Sequence, residues 1–228
     1  MKTAESKINY YFGDIENFAH KELFDGVEHA YQVLDRIRPY VNKYVEGRES
    51  NIVIGENVKI HPTAVIKGPV IIGKNCEIDA HAYVRPYTIL GDDVMVGHGT
   101  EIKASILFNR AKASSLTFVG DSILGKSVRI GSGAITANRS FSQDNIILKT
   151  TEDKIDTGRD FFGCIIGDNT RIGCNSVIAP GSHIGGYTWI YPLTNISGFI
   201  PEAKRVYHEK PLTMRDNERK ELAFKKGY

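Results

Sequence analysis

An aliphatic residue recurs at every sixth position of this 228-residue chain, from Ile54 to Ile102. The members between these two are Ile60, Ile66, Ile72, Ile78, Val84, Leu90 and Val96. A period of six fits neither an amphipathic helix, whose period is about 3.6, nor a single alternating strand, whose period is about 2. It is typical of a hexapeptide β-helix, in which an extended stretch and a turn form one side of a coil and the aliphatic side chain points to the axis. The strict register disfavours the alternative, a sandwich of short strands.

The composition predicts a soluble cytoplasmic protein without a nucleic-acid or membrane partner. Lys and Arg total 29 against 27 Asp and Glu, and a net charge of +2 gives no basic footprint for nucleic acid. The three cysteines, Cys76, Cys164 and Cys174, include no CxxC pair and no pattern typical of a metal site, which favours free thiols in a reducing compartment. No apolar run approaches about 20 residues, and the first residues lack the hydrophobic core of a signal peptide.

The extent of the repeat divides the chain into three regions. Residues 51–203 are predicted to form the β-helix. Residues 1–50 lack the period and are predicted to form a helical cap over the open end of the first coil, with a first helix beginning after Asp14. Residues 204–228 are charged and are predicted to form a helical tail, with its helix over 213–226.

Two interruptions of the repeat mark candidate sites. Continuing the register through Ile102 and Phe108 places Ser114 where an aliphatic residue is expected, and the register is predicted to resume, shifted, at Phe118, Leu124 and Ile130. Residues 139–163 form a longer interruption, whose alternating pattern and turn residues predict an excursion shaped like a β-hairpin. The period returns at Ile166. Solenoids usually place binding sites on the face from which such loops project.

Two segments resemble a known enzyme family. Residues 101–139 read EIKASILFNRAKASSLTFVGDSILGKSVRIGSGAITANR and resemble the acetyltransferase domain of the bifunctional N-acetylglucosamine-1-phosphate uridylyltransferase, which acetylates glucosamine-1-phosphate. Residues 156–185 read DTGRDFFGCIIGDNTRIGCNSVIAPGSHIG and resemble archaeal-type sugar-1-phosphate nucleotidyltransferases. The resemblance implies a left-handed parallel β-helix with three hexads per coil, assembled as a homotrimer with sites between subunits. It also implies acetyl-CoA as the acyl donor.

The resemblance assigns five residues to a phosphorylated acceptor. Arg85 and Lys103 fall at the family's basic positions for the sugar phosphate, and a planar guanidinium beside an ammonium suits a phosphate. Asn138 matches the asparagine of the family's TxNY motif, whereas Arg139 replaces its tyrosine. Arg159, in the DTGR segment, would reach a phosphate of the adjacent subunit's ligand. The alternative for these basic side chains is a solvent-facing position on a coil or a turn.

The general base is the main departure from the family. Acetyl transfer to an amine requires such a base, which the family supplies as the histidine of a KAxH motif. Ser115 stands at that position here, Phe118 replaces a nearby tyrosine and Arg129 replaces an asparagine. A serine hydroxyl alone cannot act as a base near neutral pH. His98, five residues before Lys103 on a predicted turn, is the candidate replacement, and a surface histidine at a corner is the alternative.

Cys174 and Tyr191 occupy places comparable with the family's acyl-CoA contacts, and both are taken as candidate donor-binding residues. Nucleotidyltransferase activity is not expected, because it needs a separate α/β domain with a glycine-rich loop that residues 1–50 cannot supply. Three functions stay open. The preferred one is an acyltransferase acting on a phosphorylated sugar or nucleotide-sugar precursor. The others are a sugar-phosphate binding protein that has lost catalysis and a structural subunit that pairs with a separate nucleotidyltransferase.

Overall fold

The computed structural model describes residues 4–208, whose strands stack as a parallel β-solenoid and confirm the predicted hexapeptide fold. Successive strands of each coil belong to three different sheets. The first sheet contains β1 (Ile52–Ile54), β4 (Val70–Ile72), β7 (Thr88–Leu90), β10 (Ile106–Leu107), β13 (Ile123–Leu124), β18 (Cys164–Ile166), β21 (Ser182–Ile184) and β24 (Phe199–Ile200). The second contains β2 (Lys59–Ile60), β5 (Glu77–Ile78), β8 (Met95–Val96), β11 (Lys112–Ala113), β14 (Arg129–Ile130), β19 (Arg171–Ile172), β22 (Trp189–Ile190) and β25 (Arg205–Val206). The third contains β3 (Val65–Ile66), β6 (Tyr83–Val84), β9 (Glu101–Lys103), β12 (Phe118–Gly120), β15 (Ile135–Thr136), β20 (Val177–Ile178) and β23 (Asn195–Ile196).

The aliphatic residues of the repeat form the interior of the solenoid. Ile54 pairs with Ile72, and Ile72 pairs with Leu90, so side chains 18 residues apart stack along one line. Ile72 and Leu90 are almost completely buried. Burying each such side chain contributes on the order of 1.5–3 kcal/mol, which explains why the period survives through most of the chain.

The register after Ile102 differs from the prediction. Leu107 pairs with Leu90, 17 residues earlier, so this coil is one residue shorter than those before it. Val119, rather than Phe118, belongs to the interior and is completely buried. The inward position predicted for Phe118 was wrong, whereas Leu124 and Ile130 lie in the interior as predicted. The reason is that neighbouring inward residues are five rather than six positions apart at two places, from Ile102 to Leu107 and from Val119 to Leu124. Phe118 lies half-buried on the outer face of the third sheet.

The N-terminal region packs along the outer face of the first sheet, not over the open end of the first coil. It contains 3₁₀ helices at Ala4–Ser6, Ile15–Asn17, Lys21–Phe24 and Ala30–Gln32, and the helices α1 (Ile8–Tyr11) and α2 (Val33–Val45). The outer residues that it covers are Ile71, Ile89, Ile106, Ile123 and Ile165. Because the first sheet is aliphatic on both faces, it needs a covering layer on its outer side. Ile54, at the open end, remains 48% exposed.

Phe108 and Asp168 join the N-terminal region to the solenoid. The ring of Phe108 stacks on Phe12 and Phe18, with centroid distances of 4.9 and 4.2 Å. The Asp168 carboxylate accepts a hydrogen bond from the backbone N of Gly13 at 2.9 Å. Burial raises the pKa of Asp168. The region is therefore tied to the solenoid by ring stacking and by a buried polar contact.

The excursion between the fifth and sixth coils contains an antiparallel pair, β16 (Ile147–Lys149) and β17 (Lys154–Asp156). Its turn contacts the N-terminal region, since the Thr151 hydroxyl donates a hydrogen bond to the Glu5 carboxylate at 2.8 Å. The last strand of the second sheet, β25, lies beyond residue 203, so the solenoid continues past the boundary that the sequence predicted. The helix predicted over 213–226 lies outside the described residues.

None of the helices within residues 4–208 combines the length and hydropathy that a bilayer crossing requires.

Candidate functional site

The corner between the second and third sheets carries a row of aligned residues. Backbone N–H groups of Gly99, Leu116, Gly133, Asn175 and Leu193 donate to the backbone oxygens of Ala80, His98, Ser115, Ser132 and Cys174 at 2.8 to 3.0 Å. Each acceptor is the second residue of its turn and each donor is the third residue of the turn in the next coil. We call Ala80, His98, Ser115, Ser132, Cys174 and Pro192 the corner row. Its members follow one another at the strand spacing of about 4.8 Å.

The corner row places His98 beside Ser115. The two residues are 17 positions apart in the sequence, yet they occupy equivalent places in neighbouring coils. His98 is exposed, and its ring packs edge to face against that of His81 at a centroid distance of 5.5 Å. His98, which the sequence suggested as the replacement base, therefore lies one strand spacing from Ser115, the position of the family's histidine.

Arg85 and Lys103 lie together at the opposite edge of the third sheet. Arg85 donates its backbone N–H to Ile102, so it stands next to Lys103 in the adjacent coil. Each has a carboxylate partner: Arg85 Nη1 contacts Glu101 Oε1 at 2.7 Å, and Lys103 Nζ contacts Asp121 Oδ2 at 3.1 Å. The two basic side chains are thus close together, but their charges are locally balanced.

Asn138 and Arg139 belong to the same cluster. The Asn138 amide donates to the Asp121 carboxylate at 2.6 Å, so one oxygen of this buried side chain serves both Asn138 and Lys103. Arg139 and Lys103 both lie over the ring of Phe161, at 4.9 and 4.4 Å from its centroid. We call these residues, with Arg85 and Glu101, the acceptor cluster. Sequence reasoning did not assign Asp121 or Phe161, although both lie in the segments that carry the family resemblance.

Arg159 is held elsewhere. Its guanidinium forms an ion pair with Asp35 in α2, and its Nε donates to the backbone oxygen of Phe161 at 3.1 Å. The side chain is only 19% exposed. It therefore fastens the excursion to the N-terminal region and does not project from the chain as a free arm.

The corner row and the acceptor cluster do not meet within one chain. His98 precedes β9 and Lys103 ends it, so the width of the third sheet separates them. The two candidate groups would need a neighbouring subunit to face one another.

A groove of about 440 Å³ runs beside the corner row on the second sheet. Both candidate donor-binding residues, Cys174 and Tyr191, line it. Arg129, Arg171 and Trp189 line it as well, and sequence reasoning gave them no role. The signal was available, because each of the three directly precedes an inward isoleucine of the hexad and must point outward. A larger cleft of about 1170 Å³ lies between the excursion and the third sheet, but it includes no member of the corner row.

Comparisons with known proteins identify the family. A family model described as GMPPB C-terminal domain matches residues 66–155. The uncharacterized acetyltransferase YaiX of Escherichia coli O6:K15:H31 is 34% identical over 192 residues, which cover 82% of this chain and 81% of that protein. This chain belongs to the YaiX acetyltransferase family.

The YaiX family chain also resembles longer proteins. The bifunctional sugar-1-phosphate nucleotidylyltransferase/acetyltransferase of Sulfurisphaera tokodaii is 37% identical over 161 residues, covering 62% of this chain and 40% of that protein. The bifunctional protein GlmU of Methanococcus aeolicus is 31% identical over 210 residues, covering 92% of this chain and 50% of that protein. The chain therefore spans half or less of the length of these curated relatives. The solved structure of AntD from Bacillus cereus, with dTDP and 3-hydroxybutyryl-CoA, has a TM-score of 0.45 at 18% identity over 71% of this chain and 80% of that one, a likeness too weak to inform the chemistry here.

The cysteines of this YaiX family member differ in their surroundings. Burial raises the pKa of Cys76 to about 11 and that of Cys164 to about 12, so both remain neutral thiols near neutral pH. Cys174 is exposed beside the groove. Within the described part of the chain, no three His, Cys, Asp or Glu side chains are grouped as a metal ion would require. The chemistry that the corner can offer is proton transfer at His98 and hydrogen bonding at Ser115.

Proposed function

We propose that this protein is an acyltransferase that transfers an acetyl group from acetyl-CoA to an amine on a phosphorylated sugar or nucleotide-sugar precursor. The position of His98 next to Ser115 in the corner row carries the proposal. The family's histidine is absent, but an imidazole stands one coil away on the same line of the surface. Membership of an acetyltransferase family supports the reaction type.

The chain's own residues can be given roles in this transfer. The acceptor amine attacks the thioester carbonyl, the C–N bond forms and the C–S bond breaks. His98 accepts the proton that the amine loses and returns it to the departing thiolate. The Ser115 hydroxyl, one strand spacing away, donates a hydrogen bond to the oxyanion that develops on the carbonyl.

The acyl donor is proposed to lie in the groove beside Cys174 and Tyr191. That groove opens on the corner row, so a thioester in it would be close to Ser132 and Ser115. The Cys174 thiol is free and has no hydrogen-bond partner among residues 4–208, and the proposal gives it no nucleophilic role.

The phosphate of the acceptor is proposed to bind at the acceptor cluster. Arg85 and Lys103 keep free N–H groups beyond those given to Glu101 and Asp121, since a guanidinium has five donors and an ammonium three. Asn138 and Arg139 would complete the site. Arg159 takes no part, because Asp35 holds its guanidinium.

A homotrimer in the cytoplasm is the proposed working form. Apolar side chains that monomeric proteins usually bury are 39% to 72% exposed on the third sheet and at its corner. They are Val65, Leu116, Ile135, Val177 and Leu193. Packing of this surface between subunits would bring the corner row of one chain to the acceptor cluster of the next. The free state of all three cysteines is compatible with a reducing cytoplasm.

A sugar-phosphate binding protein without catalysis is the second candidate. The replacement of the family's histidine by Ser115 favours it. A structural subunit that pairs with a separate nucleotidyltransferase is the third, because the relatives named as bifunctional are about twice as long as the matched region.

The release of free CoA tests these functions. Acetyl-CoA is mixed with the protein and glucosamine-1-phosphate, or with a nucleotide-linked amino sugar, and free thiol is measured. Acceptor-dependent release supports the acyltransferase. Thermal stabilisation by the acceptors without thiol release supports the binding protein. If no acceptor causes either thiol release or stabilisation, both the acyltransferase and the binding protein are contradicted.

A further inference from the structure

The excursion returns to the solenoid through residues 159–163, which we call the return segment. Its central residue, Phe161, is half-buried, and its ring lies under two cations of the acceptor cluster. Lys103 Nζ is 4.4 Å and Arg139 Cζ is 4.9 Å from the ring centroid. One aromatic side chain therefore contacts two of the positive charges at which the acceptor phosphate is proposed to bind.

The acceptor cluster carries more positive than negative charge. Arg85 and Lys103 each face a carboxylate. Arg139 forms no ion pair with any residue that the structure describes, and its guanidinium donates to the uncharged side chain of Gln143 at 2.9 Å. The cluster therefore keeps one positive charge in excess. Because Arg139 stands where the resembled family has a tyrosine, this excess comes from a departure from the family.

An aromatic ring holds a cation without neutralising it. The face of a ring attracts a positive charge through its quadrupole, although the ring has no net charge. A carboxylate in the same place would cancel part of the field that attracts a phosphate. Phe161 can therefore keep Lys103 and Arg139 together, against their mutual repulsion, while the charge of Arg139 stays available to an anion.

The backbone on both sides of Phe161 is fixed. Arg159 Nε donates to the backbone oxygen of Phe161 at 3.1 Å, and the same guanidinium pairs with Asp35 of α2. The backbone N–H of Phe162 donates to the backbone oxygen of Asn138 at 2.9 Å. The ring of Phe161 therefore projects from a return segment that is fastened both to the N-terminal region and to the acceptor cluster.

The ring of Phe161 is not part of a hydrophobic core. Its neighbour Phe162 is completely buried in the apolar cluster between the N-terminal region and the first sheet, whereas Phe161 belongs neither to that cluster nor to the interior of the solenoid. Apolar burial alone therefore does not explain an aromatic residue at this place, and its contacts with the two cations do.

We propose that Phe161 is a positioning residue for the acceptor phosphate and that it holds Lys103 and Arg139 as one anion-binding pair. The inference rests on the proposed function for the identity of the ligand, a phosphorylated amino sugar, but binding of that ligand does not require acetyl transfer. It implies that the return segment makes the phosphate a condition for tight binding, because an acceptor without a phosphate gains nothing from the pair.

Calorimetric titration of the full chain with glucosamine-1-phosphate tests the inference directly. Phe161→Leu removes the ring but keeps an apolar side chain, so we expect the dissociation constant for glucosamine-1-phosphate to rise about five- to tenfold while that for acetyl-CoA stays unchanged. Phe161→Tyr keeps the ring and should bind as the wild type does. Phe141→Leu is the matched control, because Phe141 lies in the same excursion and is fully exposed. Circular dichroism checks the fold, and Phe161→Met is measured as a second variant without a ring.

Two further measurements separate positioning from packing. In a chain that already carries Arg139→Gln, Phe161→Leu should weaken binding less than it does in the wild type, since one of the two cations is gone. If acetyl transfer occurs, Phe161→Leu should raise KM for glucosamine-1-phosphate and leave kcat and KM for acetyl-CoA nearly unchanged. The preference for glucosamine-1-phosphate over glucosamine should fall by the same factor.

The outcomes for this inference and for the proposed function can be told apart. Equal binding of glucosamine-1-phosphate by the wild type and Phe161→Leu would overturn the inference even if acetyl transfer is observed. Equal weakening by Phe161→Leu and Phe161→Tyr would also overturn it, because the ring would then not be the cause. Binding that depends on the ring, without acetyl transfer to any acceptor, would support the inference and contradict the proposed acyltransferase. No binding of glucosamine-1-phosphate by the wild type would contradict the inference.

Discussion

The imidazole of His98 is positioned by the corner rather than by a catalytic motif. Its turn follows β8, and its backbone oxygen accepts from Leu116, which places Ser115 directly beside it. His81 packs against the ring from the preceding coil. A base in this arrangement can serve an amine near the place where the family's histidine would stand.

Removal of His98 gives the first prediction. His98→Gln keeps a polar side chain of similar size but cannot accept a proton, so we expect the rate of acceptor-dependent CoA release to fall about 100-fold or more. The matched control is His61→Gln, which changes an exposed histidine of the same corner in the first coil. Equal rates for wild type and His98→Gln would exclude His98 as the base.

Asp121 organises the acceptor cluster. Its buried carboxylate receives both Lys103 and Asn138, and its backbone oxygen accepts from Gly163 at 2.8 Å, where the excursion returns to the solenoid. Its φ is +47°, a conformation in which aspartate and asparagine are both tolerated. In the proposed transfer, Asp121 would therefore act through Lys103 and Asn138 as a positioning group.

Asp121→Asn is the second prediction. Loss of the charge releases the Lys103 ammonium, so we expect KM for a phosphorylated acceptor to rise about tenfold while KM for acetyl-CoA and the melting temperature change little. Asp93→Asn controls for the change itself, because Asp93 also has a positive φ, of 59°, but lies outside the cluster. A loss of stability with both KM values unchanged would mean that Asp121 is only structural.

At the scale of the structural elements, the N-terminal region packs against a buried histidine of the first sheet. His183 is completely buried, and its ring packs against Tyr11 and Phe199 at centroid distances of 6.3 and 5.0 Å. Its Nε2 has no hydrogen-bond partner among the described residues. Burial lowers the pKa of His183 to about 4. The folded protein therefore holds this ring neutral.

The pH dependence of stability is the third prediction. The unfolded chain binds a proton at His183 near pH 6.5, whereas the folded protein binds it only near pH 4. The free energy of unfolding is therefore highest above about pH 6.5 and falls as the pH drops from there toward 4. A difference of that size corresponds to about 3 kcal/mol. Denaturant unfolding of His183→Phe should lose this dependence. The raised pKa of Asp168 acts in the opposite sense, but it is common to both proteins. An identical slope in wild type and variant would contradict the prediction.

At the scale of the whole molecule, the covering of the sheets decides which surfaces remain for assembly. The N-terminal region covers the outer face of the first sheet. The third sheet keeps exposed aliphatic side chains, including Ile135 and Val177 at 42% and 39%. Two candidate groups at opposite edges of that sheet form one site only if another subunit closes the gap.

Disruption of the assembly is the fourth prediction. Ile135→Asp combined with Val177→Asp places two charges on the proposed contact surface, and we expect sedimentation to show a shift from trimer to monomer together with a loss of acetyl transfer. Tyr187→Asn serves as the control, since Tyr187 is 65% exposed at a different corner. A variant that remains trimeric would place the contact elsewhere.

The sequence predicted the solenoid well and its cover poorly. A strict period of six identifies the inward side chains, because each side of the coil repeats the same geometry. It could not show that Phe108 leaves the interior to stack on Phe12 and Phe18, because a coil shortened by one residue is recognisable only when its neighbours are in place. The outer aliphatic residues of the first sheet, such as Ile89 and Ile106, likewise have meaning only once the N-terminal region lies against them.

The candidate site, too, was predicted only in part from the sequence. The sequence by itself determined the chemical types available, including the missing histidine at Ser115 and the basic residues Arg85 and Lys103. Only the tertiary structure decided that His98 stands beside Ser115, that Asp121 neutralises Lys103 and that Arg159 is tied away from the site. The physical reason is that a local period specifies which way each side chain points, whereas its partners come from coils 16 or more residues away and are selected by the stacking of the whole solenoid.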